Sequence, residues 1–209
     1  LDLFNENDIR GSNLDRYNGI RCKYDDFDPF SFMNRLAMYS FENRKKIIRK
    51  FQEKTGMEIE IPDDFNGVPS VQKLQSCMIR SKDERDPNDI DDLWNFFEVA
   101  YHYANGFDNK DEFVKYYDLV LNKPLWGWSI TSCLFRMNPD FYISLDSKNR
   151  EYIKKKIGID IKKIPNGEEY LKVLNNLKEY IKKSNEYTSI ADFSYSAWED
   201  CQNNIDNNR

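Results

Sequence analysis

A chain of 209 residues with 40% hydrophobic and 15% aromatic residues can bury enough apolar surface to fold, which excludes global disorder despite 32% charged residues. A net charge of −5 excludes a uniformly basic nucleic-acid-binding surface, and 8 Gly with 7 Pro disfavour an all-β chain of many tight turns. The expected fold class is mainly α: a single helical domain over 28–200 with a small β element (α+β) around 58–72 and 141–145, preceded by a polar segment over 1–27 and followed by a linker-like tail over 201–209.

Residues 1–27 read as loop, with Gly11 and Gly19 as breakers. Asp28-Pro29 reads as helix cap and first helical residue, followed by Phe30, Met33, Leu36 and Ala37 at helical spacing. Ser40 opens a second helix with Ile47, Ile48 and Phe51 on one face, a solvated Lys/Arg face opposite, and Gly56 as its stop. Glu58 to Ile61 alternates like a strand, Asn66-Gly67 marks a turn, and 80–89 is a charged connector. From Asp89 a helix carries Leu93, Trp94, Phe97 and Tyr101, with Trp94 as a core anchor, and ends at Asn105-Gly106. Further helices are expected over Lys110–Leu121 and Trp128–Met137, then from Asp146 or Ser147 to Gly158. A long one after Pro165-Asn166-Gly167 turns Tyr170, Leu174, Leu177 and Ile181 inward. Ser194 begins a last turn holding Trp198, a second core anchor.

Several chemistries find no residues here. There is no GxxxxGK[ST] and no GxSxG, and the one histidine, His102 between two tyrosines, reads as structural. Cys22, Cys77, Cys133 and Cys201 make no CxxC pair, so no metal set and no cofactor is expected, and no catalytic residue is assigned. Pro139-Asp140 before Asp146-Ser147-Lys148 spells the acid–acid–lysine pattern of metal-dependent nucleases, but five intervening residues scarcely allow the usual hairpin, and Asp146 is better explained as a helix cap. Without a signal-peptide pattern or an apolar run of membrane-spanning length, a reducing cytoplasm and no membrane partner are expected. The opening Leu1 reads as the start of a fragment excised from a larger protein.

Five strings in order carry a resemblance: Asp28-Pro29-Phe30-Ser31-Phe32 with Asn43-Arg44; Phe65-Asn66-Gly67-Val68-Pro69; Asp89-Ile90-Asp91-Asp92-Leu93-Trp94 with Phe97; Asn138-Pro139-Asp140 through Leu145-Asp146-Ser147-Lys148-Asn149-Arg150 with Tyr152; and Ser194-Tyr195-Ser196-Ala197-Trp198. Over about residues 28–199 the series resembles the region before the AAA+ motor in McrB-like, modification-dependent restriction proteins. The resemblance implies a non-enzymatic DNA-binding specificity domain of an anti-phage system. The absent AAA+ module would hydrolyse nucleotide, usually GTP, and a McrC-like nuclease would cut.

Two stretches are the candidates for holding DNA. Lys123-Pro124-Leu125-Trp126-Gly127-Trp128-Ser129-Ile130-Thr131-Ser132 loosely resembles a helix-hairpin-helix turn, although Trp128 stands where a second glycine is usual; a turn whose tryptophans simply pack is the other reading. Ser147, Lys148, Asn149 and Arg150 would occupy a helix's first turn, where free N–H groups attract anions, with Lys154 adding charge one turn on. Asn149 would address a base edge, Trp126 and Trp128 would stack on a flipped, modified base, and Arg150 either meets phosphate or pairs with an acid inside the fold. The second function class is an assembly module of the same AAA+ complex, whose acidic N-terminal half docks a partner without touching DNA.

Overall fold

The computed structural model describes residues 15–58, 60–62, 78–123 and 127–206. Its first element is an antiparallel hairpin, β1 (Asp15–Tyr17) and β2 (Ile20–Cys22), with Tyr17 opposite Ile20. The two-residue loop is Asn18-Gly19, with φ of 51° and 72°, the left-handed pair that matches the twist of the flanking strands. Asp83 closes it from below, accepting from the N–H groups of Asn18 at 2.7 Å and Gly19 at 2.9 Å. Asp15 is fully buried and accepts from the Lys82 N–H at 2.7 Å and the Arg85 guanidinium at 3.0 Å. The charged run expected as a connector therefore folds onto residues expected as loop. The small β element lies here and not at 141–145; Glu58 and 60–62 form no strand, and Ile59 and 63–72 fall outside the described residues.

Local capping explains several helix ends. In α1 (Pro29–Met38) the Asp28 carboxylate accepts from the Ser31 N–H at 2.8 Å and proline holds the first position. The Ser31 hydroxyl in turn accepts from the buried Met78 N–H. Helix α2 (Phe41–Thr55) follows Ser40, whose side chain makes no capping bond, and stops at Gly56 in the left-handed conformation. In α3 (Asp89–Ala104) the buried line is Ile90, Leu93, Phe96 and Ala100, while Trp94 is 49% and Tyr101 52% exposed. Of the expected stripe of Leu93, Trp94, Phe97 and Tyr101, Leu93 lies on that buried line, Phe97 is half-buried, and Trp94 and Tyr101 face solvent. Trp94 is not a core anchor; its indole N–H donates to the Phe27 carbonyl at 3.2 Å.

The remaining helices are α4 (Lys110–Leu121), α5 (Ser129–Met137), α6 (Ser147–Ile157), α7 (Gly167–Ser184) and α8 (Ile190–Asp206). Asn166 and Glu169 form a reciprocal capping box at the start of α7. Helix α8 begins four residues before Ser194, where the Ser189 hydroxyl accepts from the Asp192 N–H, and it runs through Asp206, so 201–206 are helical and not a linker.

The described residues divide into two compact units, 15–62 with 78–94, and 95–206, with the division inside α3. In the first, Phe30, Ile47, Met78 and Leu93 are buried. In the second, α4 packs on α7, and α6 and α7 both pack on α8. Its centre is a column of rings: Phe113 stacks on Tyr142 at 5.8 Å, and Tyr170 on Tyr117 at 5.4 Å. Tyr142 donates to the Ala100 carbonyl and Tyr170 to the Ile143 carbonyl, so both buried hydroxyls are satisfied.

Candidate nucleic-acid interface

The segment 141–145 enters this unit as a buried apolar run without becoming a strand. Its N–H groups are taken locally: Phe141 and Tyr142 bond back to Asn138, and Leu145 donates to the Thr131 hydroxyl at 2.9 Å. That leads the chain into Asp146, whose carboxylate caps α6 by accepting from the Asn149 N–H at 3.0 Å. The same carboxylate accepts from the Ser144 hydroxyl and the Asn149 amide. Asp146 is therefore a structural cap; Pro139 and Asp140 sit in an exposed turn, and the acid–acid–lysine pattern brings no second carboxylate to it among these contacts. Replacing Asp146 with alanine is expected to lower stability by about 1–2 kcal/mol, read from chemical unfolding.

Of the first-turn residues, Asn149 is only 2% exposed and its amide donates to Asp146 and to Ser194, at 3.2 and 3.1 Å. It is not presented to a base edge. It ties α6 to α8 instead. Thr131 is likewise fully buried, donating to the Trp128 carbonyl while receiving the Leu145 N–H, and is not a DNA-facing hydroxyl. Because the Asp146 carboxylate already occupies the helix start, an incoming phosphate would meet a like charge there.

The side chains that do converge are Trp128 and Arg150. The guanidinium carbon lies 4.1 Å from the indole centroid, and one terminal nitrogen donates to the Ile161 carbonyl at 3.3 Å. Gly127, with φ of 38°, carries the chain into Trp128; a Cβ at this position would overlap the end of the Ile164 side chain. The stretch 159–165, which the sequence does not single out, thus sets Ile164 against Gly127 and the Ile161 carbonyl against Arg150. Its signal was the Ile159, Ile161, Ile164 spacing. Ser147, Arg150 and Lys154, at i, i+3 and i+7, share one face of α6. Ser147 is exposed, Ser129 and Lys148 are half-buried, and Lys123 follows the last turn of α4, its N–H bonded to Val120. Trp126 lies outside the described residues.

The lysines nearby carry local partners. Lys154 pairs with Asp160 at 3.1 Å and Lys155 with Asp200 at 2.5 Å. Lys162 and Lys163 reach Asp160 and Glu169 at 3.6 and 3.7 Å. Such exposed pairs are worth about 0–1 kcal/mol, so a phosphate can displace the carboxylate. Lys156 is held more firmly: it bonds Glu186 at 2.8 Å and lies 5.7 Å from the Tyr152 and Tyr187 rings, and the Glu186 bond pushes its pKa up. Among the described residues, Lys148 and Arg150 have no carboxylate partner.

The family model DUF8425, a domain of unknown function, matches residues 2–200. The chain belongs to DUF8425. No curated protein and no solved structure matches it. For DUF8425 the geometry has a direct reading: two strings prominent in this chain, Leu145–Arg150 and Ser194–Trp198, meet through the Asn149–Ser194 hydrogen bond. Among the described residues no group of His, Cys, Asp and Glu is arranged to hold a metal, and no helix is long and apolar enough to cross a membrane.

Proposed function

We propose that this DUF8425 chain is the DNA-recognition module of a McrB-like restriction system, supplying specificity to an AAA+ motor and a McrC-like nuclease. The observation that carries the reading is the Trp128–Arg150 stack, whose guanidinium lacks a carboxylate partner and stands on the same helix as Lys148. A guanidinium held over an indole ring can offer its remaining N–H groups to phosphate and its outer face to a base. The acidic net charge does not oppose this, since a few uncompensated cations on one face suffice for local contact. A modified base flipped from the duplex is the ligand that ring and guanidinium planes suit best.

Fluorescence anisotropy with matched modified and unmodified duplexes, at two salt concentrations, tests the reading. Binding is expected to weaken with salt, and Lys148→Ala is expected to weaken it for both duplexes alike, lowering the slope of log K against log salt by about 0.9 for one lost phosphate contact. Trp128→Ala should act mainly on the modified duplex. Salt-independent binding, or variants that bind as the parent does, would remove the proposal.

A further inference from the structure

We propose that the end of α3 and the turn after it form a docking surface for a basic segment of a partner protein, one that presents Arg or Lys side chains. This goes beyond the DNA reading and does not rest on it. Tyr101 is 52% and Phe107 59% exposed, with the His102 ring between them at 6.0 and 4.9 Å. These rings are held in place. Gly106, with φ of 88°, turns the chain, the Phe107 N–H donates to the His102 carbonyl at 3.2 Å, and the Asn109 side chain anchors the turn to the Val99 carbonyl at 3.1 Å. A fixed turn that keeps a phenylalanine in water contributes nothing to the interior of its own unit; covering it is favourable only when something else arrives.

Charge selects what arrives. Between Asn95 and Asn109 the sequence holds Glu98 and Asp108 and no Lys or Arg, and α4 opens with Asp111 and Glu112. The cation at this edge, Lys110, is engaged by Glu168 at 3.0 Å. Among the described residues no ion pair joins Glu98, Asp108 or Glu112 to a cation. Glu98 and Tyr101, three residues apart on α3, are surface neighbours. Aromatic faces flanked by unpaired carboxylates attract a cation on an apolar stem: the rings take the guanidinium or ammonium face and the carboxylates its N–H groups. The same carboxylates repel a polyanion, so the occupant is protein and not nucleic acid.

The test uses the intact 209-residue chain. It is titrated with a synthetic amphipathic peptide carrying Arg and Leu on successive turns, and with its counterpart in which Glu replaces Arg, by calorimetry and amide NMR at low and physiological salt. The Arg peptide is expected to bind, to shift amides between residues 98 and 109, and to bind about tenfold or more weakly to Phe107→Ala and to Tyr101→Ala. Paired Glu98→Gln and Asp108→Asn should weaken it mainly at low salt. All four side chains are exposed, so unfolding midpoints and duplex binding should stay as in the parent. The proposal is overturned if the Arg peptide does not bind or the Glu peptide binds equally well. It is overturned equally by shifts that lie elsewhere, by affinities unchanged in every variant, or by residues 98–109 engaging phosphatidylcholine vesicles in place of the peptide.

Discussion

Arg85→Met is expected to lower the stability of the folded chain by about 3–5 kcal/mol, the usual cost of taking one partner from a buried ion pair. Asp15 has no exposed surface, and the Arg85 side chain is only 9% exposed. Without the guanidinium, Asp15 keeps two backbone donors, the N–H groups of Lys82 and Arg16 at 2.7 and 2.8 Å. Those bonds do not neutralise a carboxylate stripped of water. Arg85 also reaches Asp25 at 3.2 Å, an exposed contact whose loss adds little. Urea unfolding followed by circular dichroism reads the effect. The double change Asp15→Leu with Arg85→Met should recover most of the loss, because no buried charge then remains. A loss below about 1 kcal/mol in the single variant would mean that the pair is not desolvated.

That ion pair also marks where sequence reading stops. Asn18-Gly19 is a strong local hairpin signal, but its strands lack alternating apolar residues, so it reads as a break in a polar segment. What stabilises it comes from Lys82, Asp83 and Arg85, more than sixty positions away, and no local pattern reveals that. Caps are the opposite case. Asp28, Asp146, Gly56 and Gly158 act within four residues of themselves, and the structure places each where its chemistry predicts. In α3 aromatic identity and register point to different faces: Trp94 and Tyr101 share a line, and that line faces solvent. The run 141–145 reads as a strand because burial alone resembles one; its hydrogen-bond partners are a turn and a threonine. Trp128 and Arg150 each stand out in the sequence, whereas their contact across 21 intervening residues does not.

Asp28→Asn is expected to change how stability depends on pH, with an amplitude of about 3 kcal/mol. Burial pushes the Asp28 carboxyl up to about 6 from its ordinary 3.8, against the lowering effect of its bonds to Ser31. One oxygen caps α1, while the other is buried without a partner. Between about pH 4 and pH 6 the folded state therefore holds a proton that the unfolded chain has released, so this group's contribution to stability falls as pH rises through that window. Asparagine keeps the acceptor for the Ser31 N–H and is an equally good cap, but carries no charge to desolvate. Its N–H donors would be buried where Asp28 Oδ2 has no partner, and left unpaired they cost about 1–3 kcal/mol at every pH, offsetting part of the gain. The variant minus parent difference is thus the informative quantity, moving in the variant's favour by about 2.4 kcal/mol of that amplitude from pH 4 to pH 8. Asp25, Asp160 and Glu186, lowered chiefly by hydrogen bonds from Lys82, Lys154 and Lys156, contribute the opposite slope in both proteins and cancel in that difference. A difference that stays flat across the range would place the Asp28 carboxylate in contact with water, and its cost to the fold would then have to be small.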